Sequence, residues 1–315
     1  MDLQVMNRVY QNHHLDSTRW DLYKPRPDDI IITTAYKAGT TWTQDIFYQL
    51  IYGDLEQKPE KQAVSVWPDA YFLPIGRDEL AGWLESFTTQ RYIKSHLPLD
   101  GLPYYPQARY VVVCRDARDV FMSFFNHYSR YTDAFYGVMN DPEKLMGEPC
   151  PRCPEDPREL WQSWITRGWF EWESEGYPFW SNLHHTQTYW DYRQLPNVLF
   201  MHYNDMLEDL SGAVRTLAEF SGIEVDDAKV ARVVEATTFA NVKKEIEADD
   251  TEDPMALTFE GGRKGFFFSG SNGRWKDVLN EADLELYEAA KARVLTPDCA
   301  EYLERGKSAI RVSAD

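Results

Sequence analysis

The chain has 315 residues, 43% of them hydrophobic and 27% charged, enough for a full globular core and unlike a disordered chain. Its 33 basic residues face 51 acidic ones, a formal charge of −18, which argues against an unspecific binder of nucleic acid or of an anionic membrane. Any anionic ligand must therefore meet a locally positive pocket, so a Lys or Arg at a strand end is more informative here than in a basic protein. Four scattered cysteines, Cys114, Cys150, Cys153 and Cys299, do not form the disulfide framework of a secreted miniprotein. The opening Met1-Asp2-Leu3-Gln4 lacks a basic and then apolar leader, and no apolar run reaches membrane-spanning length. The expectation is a cytoplasmic protein with a single domain over residues 1–315.

Residues 29–34, Asp-Ile-Ile-Ile-Thr-Thr, have the β-branched character of a buried parallel strand. A Gly-containing turn follows over 36–42, then helical periodicity over 43–52 that stops at Gly53. A second strand spans 91–96 and turns at Leu97-Pro98. A third, Arg109-Tyr110-Val111-Val112-Val113-Cys114, leads through Arg115-Asp116 into a helix ending near Tyr128. Residues 141–159 are rich in Pro, Gly and charge and read as an exposed loop or lid. Cys150 and Cys153 lie within it, without the second ligand pair that zinc requires. Six of the eleven tryptophans fall between Trp161 and Trp190, which makes this stretch either a thick aromatic core or an apolar acceptor pocket. A fourth strand over 197–203 precedes a helix near 207–221. From 241 the composition turns polar and acidic, which predicts a mobile segment over 241–262. Strands alternating with helices predict an α/β fold, a mostly parallel central sheet flanked by helices.

Three motifs carry chemistry. In Tyr36-Lys37-Ala38-Gly39-Thr40-Thr41-Trp42 one ammonium, two hydroxyls and several backbone amides can converge on an anion at a helix start, as for a nucleotide phosphate. The ATPase P-loop places its Lys after the second Gly, directly before a magnesium-binding Ser or Thr, and that order is broken here. The third strand ends in Arg115, which suits a second phosphate and repels a cation, although Asp116 keeps a magnesium-dependent kinase or NTPase open as an alternative. A nucleotide-binding protein without turnover is another. Ile93-Lys94-Ser95-His96 places a Lys and a potential proton acceptor at the same carboxyl edge. The other six histidines, His13, His14, His127, His184, His185 and His202, have no comparable setting, though His184 could line an aromatic pocket. Arg263-Lys264-Gly265, before Phe266-Phe267-Phe268 and Gly270, adds two cations on a turn whose backbone can approach a phosphate.

Taken together, residues 29 to about 290 resemble the cytosolic sulfotransferases, in particular a small-molecule member of bacterial type. These enzymes use 3′-phosphoadenosine 5′-phosphosulfate (PAPS) as sulfuryl donor. The segment 36–42 is similar to the family's Pro-Lys-Ser-Gly-Thr-Thr-Trp loop, with Tyr36 for Pro and Ala38 for Ser. The resemblance implies that Lys37, Ala38, Gly39, Thr40 and Thr41 cradle the phosphosulfate and that Trp42 stacks on adenine. It implies His96 as catalytic base, with Lys37 and Lys94 as catalytic cations, and Arg115 and Ser123 as the grip on the 3′-phosphate. Tyr203, Thr237 and Phe239 fall where the family touches the nucleotide, with Phe239 opposing Trp42, and Arg263, Lys264 and Gly265 match its last phosphate loop. The implied reaction is in-line transfer to the hydroxyl of a small, hydrophobic or aromatic acceptor, without metal, nucleic acid or a membrane span. Residues 130–190 are the expected acceptor-pocket or lid insertion. Nothing after Trp275 resembles the dimerisation motif of many animal members, and oligomeric state is left open.

Overall fold

The computed structural model describes residues 7–248, 253–266 and 271–309. After a 3-10 turn at Ser17–Leu22 come β1 (Ile30–Thr34), α1 (Thr40–Tyr52), α2 (Arg77–Glu85), β2 (Tyr92–Ser95), β3 (Arg109–Cys114) and α3 (Ala117–Tyr128). Next are α4 (Asp133–Met139), α5 (Pro157–Thr166), α6 (Leu183–Trp190), β4 (Val198–His202), α7 (Tyr203–Glu208) and α8 (Leu210–Ser221). The chain continues through α9 (Asp227–Thr237), α10 (Phe239–Ala248), α11 (Gly262–Phe266), α12 (Glu281–Val294) and α13 (Pro297–Arg305).

The four strands form one parallel sheet in the order β2-β1-β3-β4. Successive side chains of a strand point to opposite faces, and the core divides accordingly. Ile31, Ile93, Val112 and Cys114 face one side with α3, α5, α6 and α13. Ile30, Ile32, Val111 and Val113 face the other with α1, α8 and α9. The chain leaves β1 for β2 on one side and then crosses to β3 on the other. The carboxyl end of β1 is therefore the switch point where such sheets bind ligands. The opposite ends of β1 and β2 are pinned by a fully buried ion pair, Arg91 Nε to Asp29 Oδ1 at 2.6 Å and Nη2 to Oδ2 at 2.9 Å.

All four predicted strands are present within a residue of their expected bounds. The helix expected over 207–221 begins earlier and breaks at Asp209, whose φ of −138° is not helical and whose carboxylate caps α8 through the N–H of Gly212. The loop over 141–159 is irregular only to Asp156, because Pro157 at the first helical turn starts α5. Nor is it exposed throughout: Cys150 is buried and held by both amide atoms of Asn140. Burial pushes the thiols of Cys150 and Cys153 up to about 12, so both stay protonated. Of the segment expected to be mobile, 241–248 belongs to α10, 249–252 lies outside the described residues, 253–261 forms turns in which Phe259 is buried beside Tyr131, and Gly262 opens α11.

Candidate active site

The β1–α1 loop depends on two unusual backbone conformations. Lys37 has φ of +67° and Gly39 φ of +126°, the left-handed region that a side chain other than glycine's resists. A Cβ at Gly39 would also stand 3.1 Å from the ring of Tyr203, so the loop needs glycine for shape and for space. Ala38 is fully buried in the core, while Thr40 and Thr41 open α1 at the loop's end. The Thr40 hydroxyl lies 2.5 Å from that of Thr34 at the end of β1.

Lys37 turns inward. Its Nζ sits 3.2 Å from Nδ1 of His127 and 4.2 Å from the centre of the Phe266 ring. Burial first, and then the charges of Lys94 and Arg115, bring its pKa down to about 7. Lys94 on β2 lies over Trp67 at 4.2 Å, and burial lowers it to about 8 against the support of Asp69. His96 follows β2. Its Nδ1 is 2.9 Å from the carbonyl oxygen of Thr34 and 3.3 Å from that residue's hydroxyl. Because a carbonyl only accepts, Nδ1 carries the proton and Nε2 keeps its lone pair. Burial, followed by Lys94, holds the imidazole well below its ordinary pKa, so it is neutral at physiological pH. Tyr36 and Trp67 hold the ring edge-on at 5.0 and 5.1 Å.

Arg115, at the end of β3, lies 4.2 Å from the centre of the Tyr203 ring. Its Nη2 and Nε donate to Oδ1 of Asn272 at 2.6 and 3.1 Å. Tyr203 also meets Trp42 at 5.3 Å, so one ring joins the glycine turn, the indole and the guanidinium. Trp42 Nε1 donates to the carbonyl of Thr237 at 2.8 Å, which fixes the α1 indole against the end of α9.

Lys37, Lys94, His96, Arg115, Trp42, Tyr203 and Thr237 thus gather at one end of the sheet. Others of the predicted set are less engaged. Ser123 is half-buried two turns along α3 and has no hydrogen bond to Arg115, Phe239 is 39% exposed without ring contact to Trp42, and Lys264 is exposed. Arg263-Lys264-Gly265 is also not a loop. It forms most of α11, with the Arg263 N–H and guanidinium on Asp253 and the buried Gly265 against Glu260, and it reaches the site through Phe266. Phe267, Phe268 and Gly270 lie outside the described residues.

The aromatic stretch is mainly core. Trp161, Trp164, Trp180 and Trp190 are buried, and a cavity of about 10 Å³, room for roughly one water, lies between Tyr36, Phe124, Trp164, Phe179, Trp180 and Asn182. Trp180 comes within 5.8 Å of His96. His184 takes no part, since its Nε2 is bound to Asp100 at 2.9 Å. Sequence reasoning missed Tyr36, His127 and Asn272. His127 could have been found, because it lies four residues after Ser123 and so shares its helix face.

A neutral, tautomer-fixed histidine near half-buried lysines at the carboxyl end of a parallel sheet is an arrangement suited to group transfer from an anionic donor. The sulfotransferase domain family matches residues 27–295, and the chain belongs to it. It is a sulfotransferase. A glycolipid sulfotransferase of Mycobacterium bovis is 27% identical over 95% of this chain and 94% of its own length. Sulfotransferase 1E1 of Homo sapiens is 28% identical, covering 85% and 86%. The fold is shared with mouse sulfotransferase SULT7A1 complexed with PAP (TM-score 0.65, 18% identity, 91% of this chain and 92% of that one). It is shared also with retinol dehydratase in complex with androsterone and inactive cofactor PAP (0.65, 22%, 89% and 84%). Among the described residues no helix is long and apolar enough to cross a membrane.

Proposed function

We propose that this sulfotransferase takes its sulfuryl group from PAPS and passes it to a hydroxyl of a small hydrophobic or aromatic acceptor, with His96 as general base. The observation that carries the reading is the Thr34 carbonyl on His96 Nδ1, which leaves the basic nitrogen for an acceptor beside Lys37 and Lys94. The site suits a bisphosphorylated nucleotide: a left-handed glycine turn that a Cβ would block, two half-buried lysines, and an arginine at the neighbouring strand end. PAP in the solved structures of like fold supports the donor, and the glycolipid sulfotransferase among the relatives supports a hydroxyl on an apolar body.

The donor brings an activated sulfate on a phosphate leaving group. His96 Nε2 accepts the acceptor's hydroxyl proton as that oxygen becomes nucleophilic. Lys37 and Lys94 offset the negative charge spread over the transferring and leaving oxygens, in a setting where burial strengthens their effect. The loop amides of Gly39, Thr40 and Thr41 hold the phosphosulfate, Arg115 and Ser123 the 3′-phosphate, and Trp42, Tyr203, Thr237 and Phe239 the nucleoside. The wall of Tyr36, Phe179 and Trp180 excludes water from His96. No metal is assigned a role, and four unpaired cysteines suit the cytoplasm.

Assay with radiolabelled PAPS and a panel of phenols, alcohols and glycolipids tests this. His96→Ala is expected to lower kcat about a hundredfold or more, with PAP affinity in calorimetry little changed and wild-type turnover persisting in EDTA. Near-normal turnover of the variant would remove His96 from the role.

A further inference from the structure

Beyond the residues assigned above, a run of buried and half-buried polar groups starts at Lys37. From His127 Nδ1, 3.2 Å from the ammonium, it continues through His127 Nε2 to Tyr36 Oη at 2.7 Å and on to Tyr131 Oη at 3.2 Å. Tyr131 Oη is 3.5 Å from His14 Nε2, His14 Nδ1 is 2.5 Å from His13 Nδ1, and His13 Nε2 is 2.9 Å from the carbonyl oxygen of Pro178. The two ends set the direction, since an ammonium only donates and a carbonyl only accepts. One assignment then satisfies every link. Lys37 donates to His127, His127 to Tyr36, Tyr36 to Tyr131, Tyr131 to His14, His14 to His13, and His13 to Pro178. Each imidazole carries one proton and is neutral. Burial agrees, holding His127 and His14 well below the ordinary histidine pKa and His13 at about 4.

Lys37 faces Lys94, Arg115 and the Phe266 ring, while on α11 the Arg263 side chain is turned to Asp253 and Lys264 is exposed. His127 on α3 faces Lys37, Lys94, His96, His14, Tyr36 and Tyr131. A carboxylate partner would stabilise the Lys37 ammonium but cancel the charge that an anionic donor requires. A neutral imidazole acceptor stabilises it and leaves the charge in place.

We propose that His127 is the positioning residue of Lys37: anchored through Tyr36 in a one-way hydrogen-bonded chain ending at Pro178, it holds the ammonium on the β1–α1 loop without neutralising it. The proposal rests on the reading that Lys37 binds the PAPS phosphosulfate. It also gives the Tyr36 hydroxyl a task, that of keeping His127 in the tautomer whose Nδ1 accepts.

The test is calorimetric titration of PAP into wild type, His127→Phe, His127→Gln and Tyr36→Phe from pH 6 to 9, with kcat and KM for PAPS over the same range. In His127→Phe the alkaline midpoint of PAP affinity is expected to move down by about one pH unit, with binding about tenfold weaker near pH 8 and little changed at pH 6. Tyr36→Phe, which removes one oxygen and keeps the ring, moves the midpoint the same way by less. His127→Gln, whose amide oxygen accepts, restores it. A wild-type midpoint in both His127→Phe and Tyr36→Phe, or a loss equal at every pH, overturns the proposal. If His127→Phe does not fold, Tyr36→Phe decides by the same criterion. Failure of wild type to bind PAP would instead remove the donor assignment, and the positioning role with it.

Discussion

His96 and His127 are both buried imidazoles near lysines, yet their chemistry differs because of what each nitrogen meets. His96 gives its Nδ1 proton to the Thr34 carbonyl and keeps a basic Nε2, whereas His127 has Lys37 on one nitrogen and Tyr36 on the other. Only the first can take a proton from an acceptor. That His96 is a candidate base was legible from a strand-end histidine beside a lysine, together with the family resemblance. Its tautomer was not, because the Thr34 carbonyl that fixes it belongs to the neighbouring strand. Arg115 makes a similar point. Its place at a strand end was readable, but its partners Tyr203 and Asn272 come from 88 and 157 residues further along the chain. Arg115→Ala is expected to weaken PAP binding ten- to a hundredfold in calorimetry, the worth of charge-assisted hydrogen bonds, while thermal unfolding of the nucleotide-free protein changes little by comparison. Unchanged PAP affinity would detach Arg115 from the phosphate.

At the level of elements, the strands were read well because β-branched runs such as Ile30-Ile31-Ile32 and Val111-Val112-Val113 are buried on both faces and have no other use. Helix ends were read less well. The break at Asp209 depends on a side chain competing for the backbone, and α10 crosses an acidic stretch because Val242 is buried on one face. The Asp29–Arg91 pair joins the starts of β1 and β2, whose opposite ends carry Lys37 and His96. Neither side chain is solvent-exposed, so removing one strands the other charge in the core. Arg91→Leu is expected to cost about 3 to 5 kcal/mol in urea unfolding, since Asp29 would lose its guanidinium. A cost below about 1 kcal/mol would show that Asp29 is relieved by other groups, such as Tyr23.

Across the whole molecule, a chain of net charge −18 concentrates a buried arginine and two half-buried lysines at one end of its sheet. Burial, with the charges of Lys94 and Arg115, leaves Lys37 near pKa 7, and burial against the support of Asp69 leaves Lys94 near 8, so around pH 8 both are incompletely protonated in the nucleotide-free protein. An arriving phosphate favours the charged forms and raises both values. PAP binding is therefore expected to take up protons at pH 8 and almost none at pH 6, where both lysines are already charged, and PAP affinity is expected to fall as pH rises through 7 to 9. Calorimetry in buffers of different ionisation enthalpy measures the uptake directly, and proton release at pH 8 would contradict the assignment. The sequence by itself determined the parallel α/β architecture, the glycine turn with its lysine, the strand-end histidine and the family to which they point, because each is a local pattern whose chemistry needs only near neighbours. Only the tertiary structure decided which nitrogen of His96 carries the proton, that the tryptophan-rich stretch is mainly packed core, and that Tyr36 and His127 stand behind Lys37. Proton positions and burial follow from groups brought together across the sheet, and no spacing along the chain encodes them.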